Sequence, residues 1–259
     1  MYKIGIFDSG VGGLTVLKEI QNLNKNLEII YYADTKNSPY GNKTLEEVKS
    51  FCKNITQFFI DNHVDLIVIA CNTATIASID FLRTLTNIPI IGVINPGASN
   101  AISLTKNNKI GVLATPLTVK SNAYKNEISA FNKNIDIFQK GCKDLCPMIE
   151  NGWETFSNRK KILKSYIDEL PSDIDTLILG CTHYPLITKD IEEIFSGNII
   201  NPAKYTSIQV NEQLNLIRTS ASYTKERIDF FISGEIKEFQ NIAEQFLNEK
   251  ISTIFKLPF

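Results

Sequence analysis

No stretch of this 259-residue sequence approaches the ~20 consecutive apolar residues that a membrane-spanning helix needs. Neither sign of charge is in excess. Lys and Arg total 27 against 28 Asp and Glu, and a net charge of -1 excludes the basic footprint of a nucleic-acid binder or an anionic-membrane binder. Cysteine is sparse and odd in number, five in all, which argues against a disulfide scaffold and for a reducing, cytoplasmic setting. A signal-peptide pattern is not expected, because Asp8 interrupts the short apolar stretch at the N-terminus. Low-complexity segments and long linkers are missing too. The expectation is a soluble globular chain, long enough for one large domain or two modest ones, with thiols to explain.

Short β-branched runs alternate with stretches of helical period. Strands are expected at Met1–Phe7, Leu27–Ala33, Leu66–Ala70, Pro89–Val93, Lys109–Leu113, Ile135–Phe138, Thr176–Leu179, Asn198–Ile200 and Ile228–Ile232. Helices fit Thr15–Gln21, Thr44–His63, Val119–Phe131, Arg159–Leu170, Leu186–Phe195, Ile208–Ile217 and Ile236–Leu247. The clearest is Thr44–His63, where Leu45, Val48, Cys52, Ile55 and Phe59 recur at spacings of 3 and 4 behind a capping box from Thr44 to Glu47. His63 reads as a surface or capping residue beyond it. Arg159–Lys161, a short basic cluster, reads as a solvated helix start. Strands alternating with helices predict an α/β fold with parallel sheets.

The two halves repeat each other. Ile4–Ser9 matches Ile110–Thr115 at an offset of 106, and Leu27–Ile30 matches Ile135–Phe138 at 108, as Pro39 does Pro147. Asp65–Cys71 matches Asp175–Cys181 at 110, and Ile94-Asn95-Pro96 matches Ile200-Asn201-Pro202 at 106. Four ordered matches at nearly constant offset predict two similar parallel-sheet α/β domains related by a pseudo-two-fold axis, with the site in the cleft between them. Residues before proline favour extended backbone, so both Asn-Pro pairs are expected as crossing points. The tail is expected to return, giving a first domain of 1–95 plus 208–259 and a second of 96–207.

In open α/β sheets ligands sit beyond the carboxyl ends of the strands. Cys71 and Cys181 both fall there, each before polar residues and a helix. Two thiols opposed across one pocket suit inversion of a stereocentre, with one removing a proton from one face and the other supplying a proton to the opposite face. Cysteine titrates near ~8.5, lower beside a helix N-terminus, within reach of neutral-pH acid–base work. Asn72-Thr73 and Thr182-His183 stand where free N–H groups bind carboxylates. Asp8, before Ser9-Gly10-Val11-Gly12-Gly13, suits an ammonium group or tuning of Cys71.

Other readings stay open. Buried cysteine is commonly plain packing, the reading for Cys52 on its apolar helix face. Cys142 and Cys146 read as structural or incidental, since CxxxC without further ligands is weak evidence for zinc or a redox motif. Gly10-Val11-Gly12-Gly13 with Asp34 imitates a dinucleotide fingerprint, but Thr15 stands where the third small residue belongs. A small-acid-binding protein without chemistry also fits. A cysteine hydrolase fits less well, because Cys181 and His183 alone make no oriented nucleophile–base pair.

With Phe7–Gly13, Ser38–Gly41, Ala70–Ala74, Gly92–Gly97, Gly111–Thr115 and Leu179–Pro185, the sequence resembles the glutamate racemases of the aspartate/glutamate racemase superfamily. The resemblance spans residues 4–203 in order. It implies cofactor-independent, metal-free interconversion of L- and D-glutamate, supplying D-glutamate for peptidoglycan. Cys71 would deprotonate the D-enantiomer and Cys181 the L-enantiomer, assisted by Asp8 and His183. Asp8, Ser9, Tyr40, Gly41, Asn72, Thr73, Thr182 and His183 would hold the substrate, with Thr115 and Thr118 as second contacts and Glu150 partnering the histidine. An aspartate racemase is the neighbouring reading. Relatives are often dimers, so the resemblance implies a homodimer, with no nucleic-acid or membrane partner. Some relatives carry an N-terminal extension linked to activation by a cell-wall precursor. This chain starts at its first strand, so such control is not expected.

Overall fold

The apolar β-branched runs of the sequence become parallel strands, and the amphipathic stretches between them become the crossovers that such strands require. The computed structural model describes residues 2–217 and 226–257. Met1, at the head of the expected first strand, lies outside the described residues, as do 218–225 and 258–259 of the expected returning tail. The strands are β1 (Tyr2–Asp8), β2 (Leu27–Ala33), β3 (Leu66–Ile69), β4 (Ile90–Gly92), β5 (Lys109–Ala114), β6 (Asp136–Gly141), β7 (Thr176–Gly180), β8 (Asn198–Ile200), β9 (Arg227–Ile232) and β10 (Ile254–Lys256). The helices are α1 (Leu14–Leu23), α2 (Leu45–Asp61), α3 (Asn72–Arg83), α4 (Ile94–Leu104), α5 (Pro116–Lys120), α6 (Ala123–Phe131), α7 (Leu145–Glu150), α8 (Arg159–Ile167), α9 (Thr188–Glu192), α10 (Pro202–Leu216) and α11 (Ile236–Leu247). None of these is long and apolar enough to cross a membrane.

The chain divides into two compact units, Met1–Val93 with Thr206–Phe259, and Ile94–Tyr205. The first holds a sheet of order β10-β9-β2-β1-β3-β4 and the second one of order β6-β5-β7-β8. All strand pairs are parallel. The duplication is therefore visible in topology: β2-β1-β3-β4 and β6-β5-β7-β8 are one pattern used twice. Register repeats with it. Ile4 pairs with Ile29 and Leu66, and the matched Ile110 pairs with Ile137 and Thr176.

The last of the four matches does not hold in register. Val68 pairs with Ile91 and its counterpart Ile178 pairs with Ile200, so Ile200 answers to Ile91 rather than Ile94. Asn95 and Pro96 are also helical, inside α4, where extended backbone was expected. Pro96 is tolerated there because the first N–H groups of a helix have no intrahelical acceptor to lose. Pro202 instead opens α10, with Asn201 outside it accepting from the Ala203 N–H at 3.0 Å.

Other expectations need adjusting. The single helix expected over Val119–Phe131 is two, broken where Asn122 takes a left-handed φ of 56°. A 3-10 turn over Tyr184–Ile187 replaces the start of the helix expected at Leu186–Phe195. Helices α4 and α7 and strand β10 went unforeseen, being short or weakly periodic. The capping box at Thr44 is formed, and exposed His63 adopts the left-handed backbone just past α2. Arg159–Lys161 does start a helix with Lys160 and Lys161 exposed, and Arg159 and Lys160 are also ion-paired. Arg159 Nε lies 3.0 Å from Asp190 Oδ2, which also accepts from the Trp153 indole at 2.7 Å, and Lys160 pairs with Glu193.

Each unit has its own core. In the first, α2 and α3 cover β1–β4 with Phe59, Ile55, Cys52 and Leu82, all buried. In the second, Leu163, Tyr184 and Ile191 form one buried core with Leu177 and Leu179 of β7. The duplicated Gly5 and Gly111 on the central strands let the covering layer approach. A methyl group on Gly5 would lie 2.8 Å from the Phe59 ring, and one on Gly111 2.5 Å from Ile174 Cδ1. Overpacking of this kind costs about 1–3 kcal/mol. Gly5→Ala is expected at the upper part of that range, because the fully buried Phe59 ring cannot step aside. Gly111→Ala is expected lower, because the Ile174 end methyl can rotate. Urea unfolding of both variants checks the order, and equal stability to wild type for Gly5→Ala contradicts the packing argument.

Candidate functional site

In both sheets the chain leaves the central strand in one direction and returns on the other side. The carboxyl ends of β1 and β3, and of β5 and β7, flank these switch points, where diverging connections leave room for a ligand. The sequence places its polar, chemistry-bearing residues just there.

In the first unit, Asp8 ends β1 and is fully buried. Its Oδ2 accepts the Gly10 N–H at 2.9 Å, which fixes the turn into α1. Gly13 closes that turn: a Cβ there would sit 2.5 Å from Asp8 Cβ and 2.6 Å from the Tyr31 hydroxyl. Tyr31 donates to the Gly10 carbonyl at 3.0 Å. Burial first, then the neighbouring Asp8 and Cys71, push its phenol well above the ordinary value, so it stays a donor.

Cys71 follows β3 and caps α3. Its Sγ accepts the Ala74 N–H at 3.4 Å and lies 3.9 Å from Ser9 Oγ. The sulfur thus stands at the positive end of a twelve-residue helix whose first residues are Asn72 and Thr73, both buried. Tyr40 and Gly41 lie in a 3-10 turn after β2. The Tyr40 hydroxyl donates to Asp34 at 2.5 Å, and Asp34 also accepts from Ser233 at 2.7 Å and Asn37 at 3.0 Å. A carboxylate so occupied, and 2% exposed, is structural. The ribose-binding role that Asp34 imitated in the sequence is corrected by this network, which ties β2 to the turn and to β9.

In the second unit, Thr115 caps α5 at the end of β5, and its hydroxyl donates to Thr118 at 3.0 Å. Cys181 follows β7, with buried Thr182 and His183 next. Cys181 Sγ lies 3.7 Å from His183 Nδ1, and His183 Nε2 lies 2.9 Å from Glu150 Oε1. Glu150 ends α7, so residues 31 positions apart in sequence form one relay of sulfur, imidazole and carboxylate. Cys181 and His183 alone make no oriented pair, and Glu150, the acid that the resemblance gave as the histidine's partner, orients the ring.

Cys146 was missed. It is half-buried, and its Sγ is 3.3 Å from Cys181 Sγ. The available signal was its position before Pro147, the duplicate of Pro39, in a segment that returns to the strand ends in both units. Contact with Cys146 and then burial push the Cys181 thiol well above its ordinary value, opposed by His183. Burial disfavours the His183 cation, but its hydrogen bonds to Cys181 and Glu150 win and raise it well above a free imidazole. Cys52 and Cys142, each pushed up to about 12 by burial, are inert packing groups.

Each unit therefore presents a thiol and polar donors at one switch point, with an acid beside Cys71 and an imidazole beside Cys181. The pattern that defines the Asp/Glu/Hydantoin racemase family matches residues 4–207. A glutamate racemase from Fusobacterium nucleatum is 43% identical, over 99% of this chain and 97% of its own. The crystal structure of the glutamate racemase isoform RacE1 from Bacillus anthracis superposes with a TM-score of 0.95 at 36% identity, covering 100% of this chain and 98% of that one. The glutamate racemase of Francisella tularensis, solved in complex with D-glutamate, gives a TM-score of 0.92 at 33% identity, over 99% and 97% of the two chains. By sequence pattern, near-full-length identity and fold together, the chain belongs to the Asp/Glu/Hydantoin racemase family.

Proposed function

We propose that this protein, an amino-acid racemase by family, interconverts L- and D-glutamate with two cysteine bases and no cofactor. The observation that carries the reading is the equivalent placement of Cys71 and Cys181, each just past the strand beside the central one of a four-strand pattern that both sheets contain. Glutamate as substrate is supported by the glutamate racemases among the relatives.

In this mechanism one thiol acts on each face of the substrate α-carbon. From L-glutamate, His183 takes the Cys181 proton. The Cys181 thiolate then removes the α-proton, and the electron pair left on carbon takes a proton from the Cys71 thiol. The Cys71 thiolate remaining, supported by the α3 N-terminus, starts the reverse reaction. Its neighbour Asp8 serves as the proton exchanger on that side. Glu150 stabilises the imidazolium, so the thiolate–imidazolium pair forms despite burial. Ser9, Tyr40, Gly41, Asn72, Thr73, Thr115, Thr118 and Thr182 hold the zwitterion, the Tyr40 side chain acting through Asp34. Fixed N–H and hydroxyl donors take the place of an electron sink by stabilising carbanion-like charge. Cytoplasmic supply of D-glutamate to peptidoglycan, by a homodimer, completes the proposal.

Incubation with either enantiomer of glutamate in heavy water is expected to put deuterium at Cα as optical activity decays, faster than with aspartate. Well-folded protein that leaves the α-hydrogen unexchanged overturns the reading, and release of a hydrolysis product would instead assign the Cys181–His183–Glu150 relay to a hydrolase. Cys71→Ser and Cys181→Ser are each expected to lower turnover at least about 100-fold; full retention in either removes that thiol from the mechanism.

The chain has two histidines, so the His183 imidazole can be followed by nitrogen NMR with His63→Gln as the assignment control. In wild type it is expected to stay protonated to higher pH than a free histidine, and Glu150→Gln is expected to move the transition down. A raised folded value means that this pairing adds stability below the unfolded pKa of about 6.5 and loses it as pH rises through the folded value. Glu150→Gln should flatten that dependence in urea titrations across the range. An unmoved imidazole transition would separate Glu150 from His183.

A further inference from the structure

Cys146 has no part in the mechanism above, yet its sulfur touches that of Cys181. Among the described residues, Cys146, Cys181 and His183 form the one group of ligand atoms close enough to share a metal ion, all within 4.8 Å of one another. Tetrahedral zinc, with Zn–S of about 2.3 Å and Zn–N of about 2.0–2.1 Å, sets its ligands roughly 3.8 Å apart for two sulfurs and about 3.6 Å for sulfur and nitrogen. The distances here are 3.3 Å between the sulfurs and 3.7 Å from Cys181 Sγ to His183 Nδ1. Rotations of half an ångström bring both to the ideal. The atom facing the sulfur is Nδ1, and Nε2 is bound to Glu150 at 2.9 Å. This is the carboxylate–histidine pairing that fixes the tautomer and raises the basicity of metal-ligating imidazoles. Two thiolates and one imidazole select a thiophilic ion over magnesium or calcium.

We infer that Cys146, Cys181 and His183, with Glu150 behind the ring, form an inhibitory zinc site in which the metal occupies the proton-transfer sulfur. Binding forms two Zn–S bonds and one Zn–N bond, and the two thiol protons leave to solvent. The fourth position stays with water. All ligands belong to one unit, so the site needs no second unit. Its inhibitory effect, but not its existence, rests on the racemase reading.

The test uses the whole protein with a phosphine reductant throughout, so that no disulfide forms. Cobalt(II) is expected to give a thiolate-to-metal charge-transfer band at one ion per chain, and zinc is expected to displace it. Cys146→Ser is expected to weaken zinc at least about 10-fold in competition with a chromophoric chelator, and Glu150→Gln about 10–100-fold. Zinc should also stop deuterium exchange in wild type, with recovery on adding chelator. Cys146→Ser, referred to its own zinc-free rate, should need at least about 10-fold more. Absence of the cobalt band, or unchanged zinc affinity in Cys146→Ser, overturns the site. Should Cys146→Ser fail to fold, the Glu150→Gln affinity decides. A cobalt band in a protein that never exchanges the α-hydrogen leaves the site standing and rejects the racemase reading.

Discussion

A parallel strand that ends against the N-terminus of the next helix is the constraint on which the molecule depends. The first N–H groups of that helix have no intrahelical partner, and a side chain at the junction can satisfy them. Cys71 does so for α3 and Thr115 for α5. Because both sheets contain the pattern 2-1-3-4, the first extended by β9 and β10, these junctions fall at the central strand or its neighbour, where connections diverge. Site residues therefore gather without any element being built specially for them. The glycines of the central strands serve the same end, since Gly5 and Gly111 let the covering layer seat closely and hold the strand ends in place.

Electrostatics then separates two thiols in similar positions. Cys71 meets a helix N-terminus and the Ser9 hydroxyl, in a loop anchored by buried Asp8. Cys181 meets an imidazole on one side and a second thiol on the other, under full burial. Burial would keep Cys181 a thiol and His183 neutral, and Glu150 opposes it by favouring the imidazolium. The same low-dielectric surroundings that strengthen this relay would hold a soft metal ion firmly. The site proposed here for proton transfer through sulfur thus carries an exposure to zinc, through a cysteine that the proposed transfer does not need.

The sequence carried the strands well because most are short, rich in β-branched residues and bounded by turn residues. Leu27–Ala33 and Asn198–Ile200 were legible to the residue. The helices α4 and α7 were not, since they are held by packing more than by periodicity. Proline misled at Asn95-Pro96, because its penalty depends on position within a helix, and the first turn carries almost none. Asp34 misled for another reason. Its partners Tyr40 and Ser233 stand 6 and 199 positions away, and only folding brings the second within 2.7 Å.

By itself the sequence determined the α/β class, the duplicated strand pattern, and the placing of Cys71 and Cys181 at strand ends. These follow from local periodicity and from matches that survive in register. Family resemblance had already paired Glu150 with His183, but only the tertiary structure decided that Asp34 is structural and that Cys146 lies against Cys181. Each of those is a contact between distant chain positions through a side chain with no periodic signature, so nothing short of the packed fold specifies it.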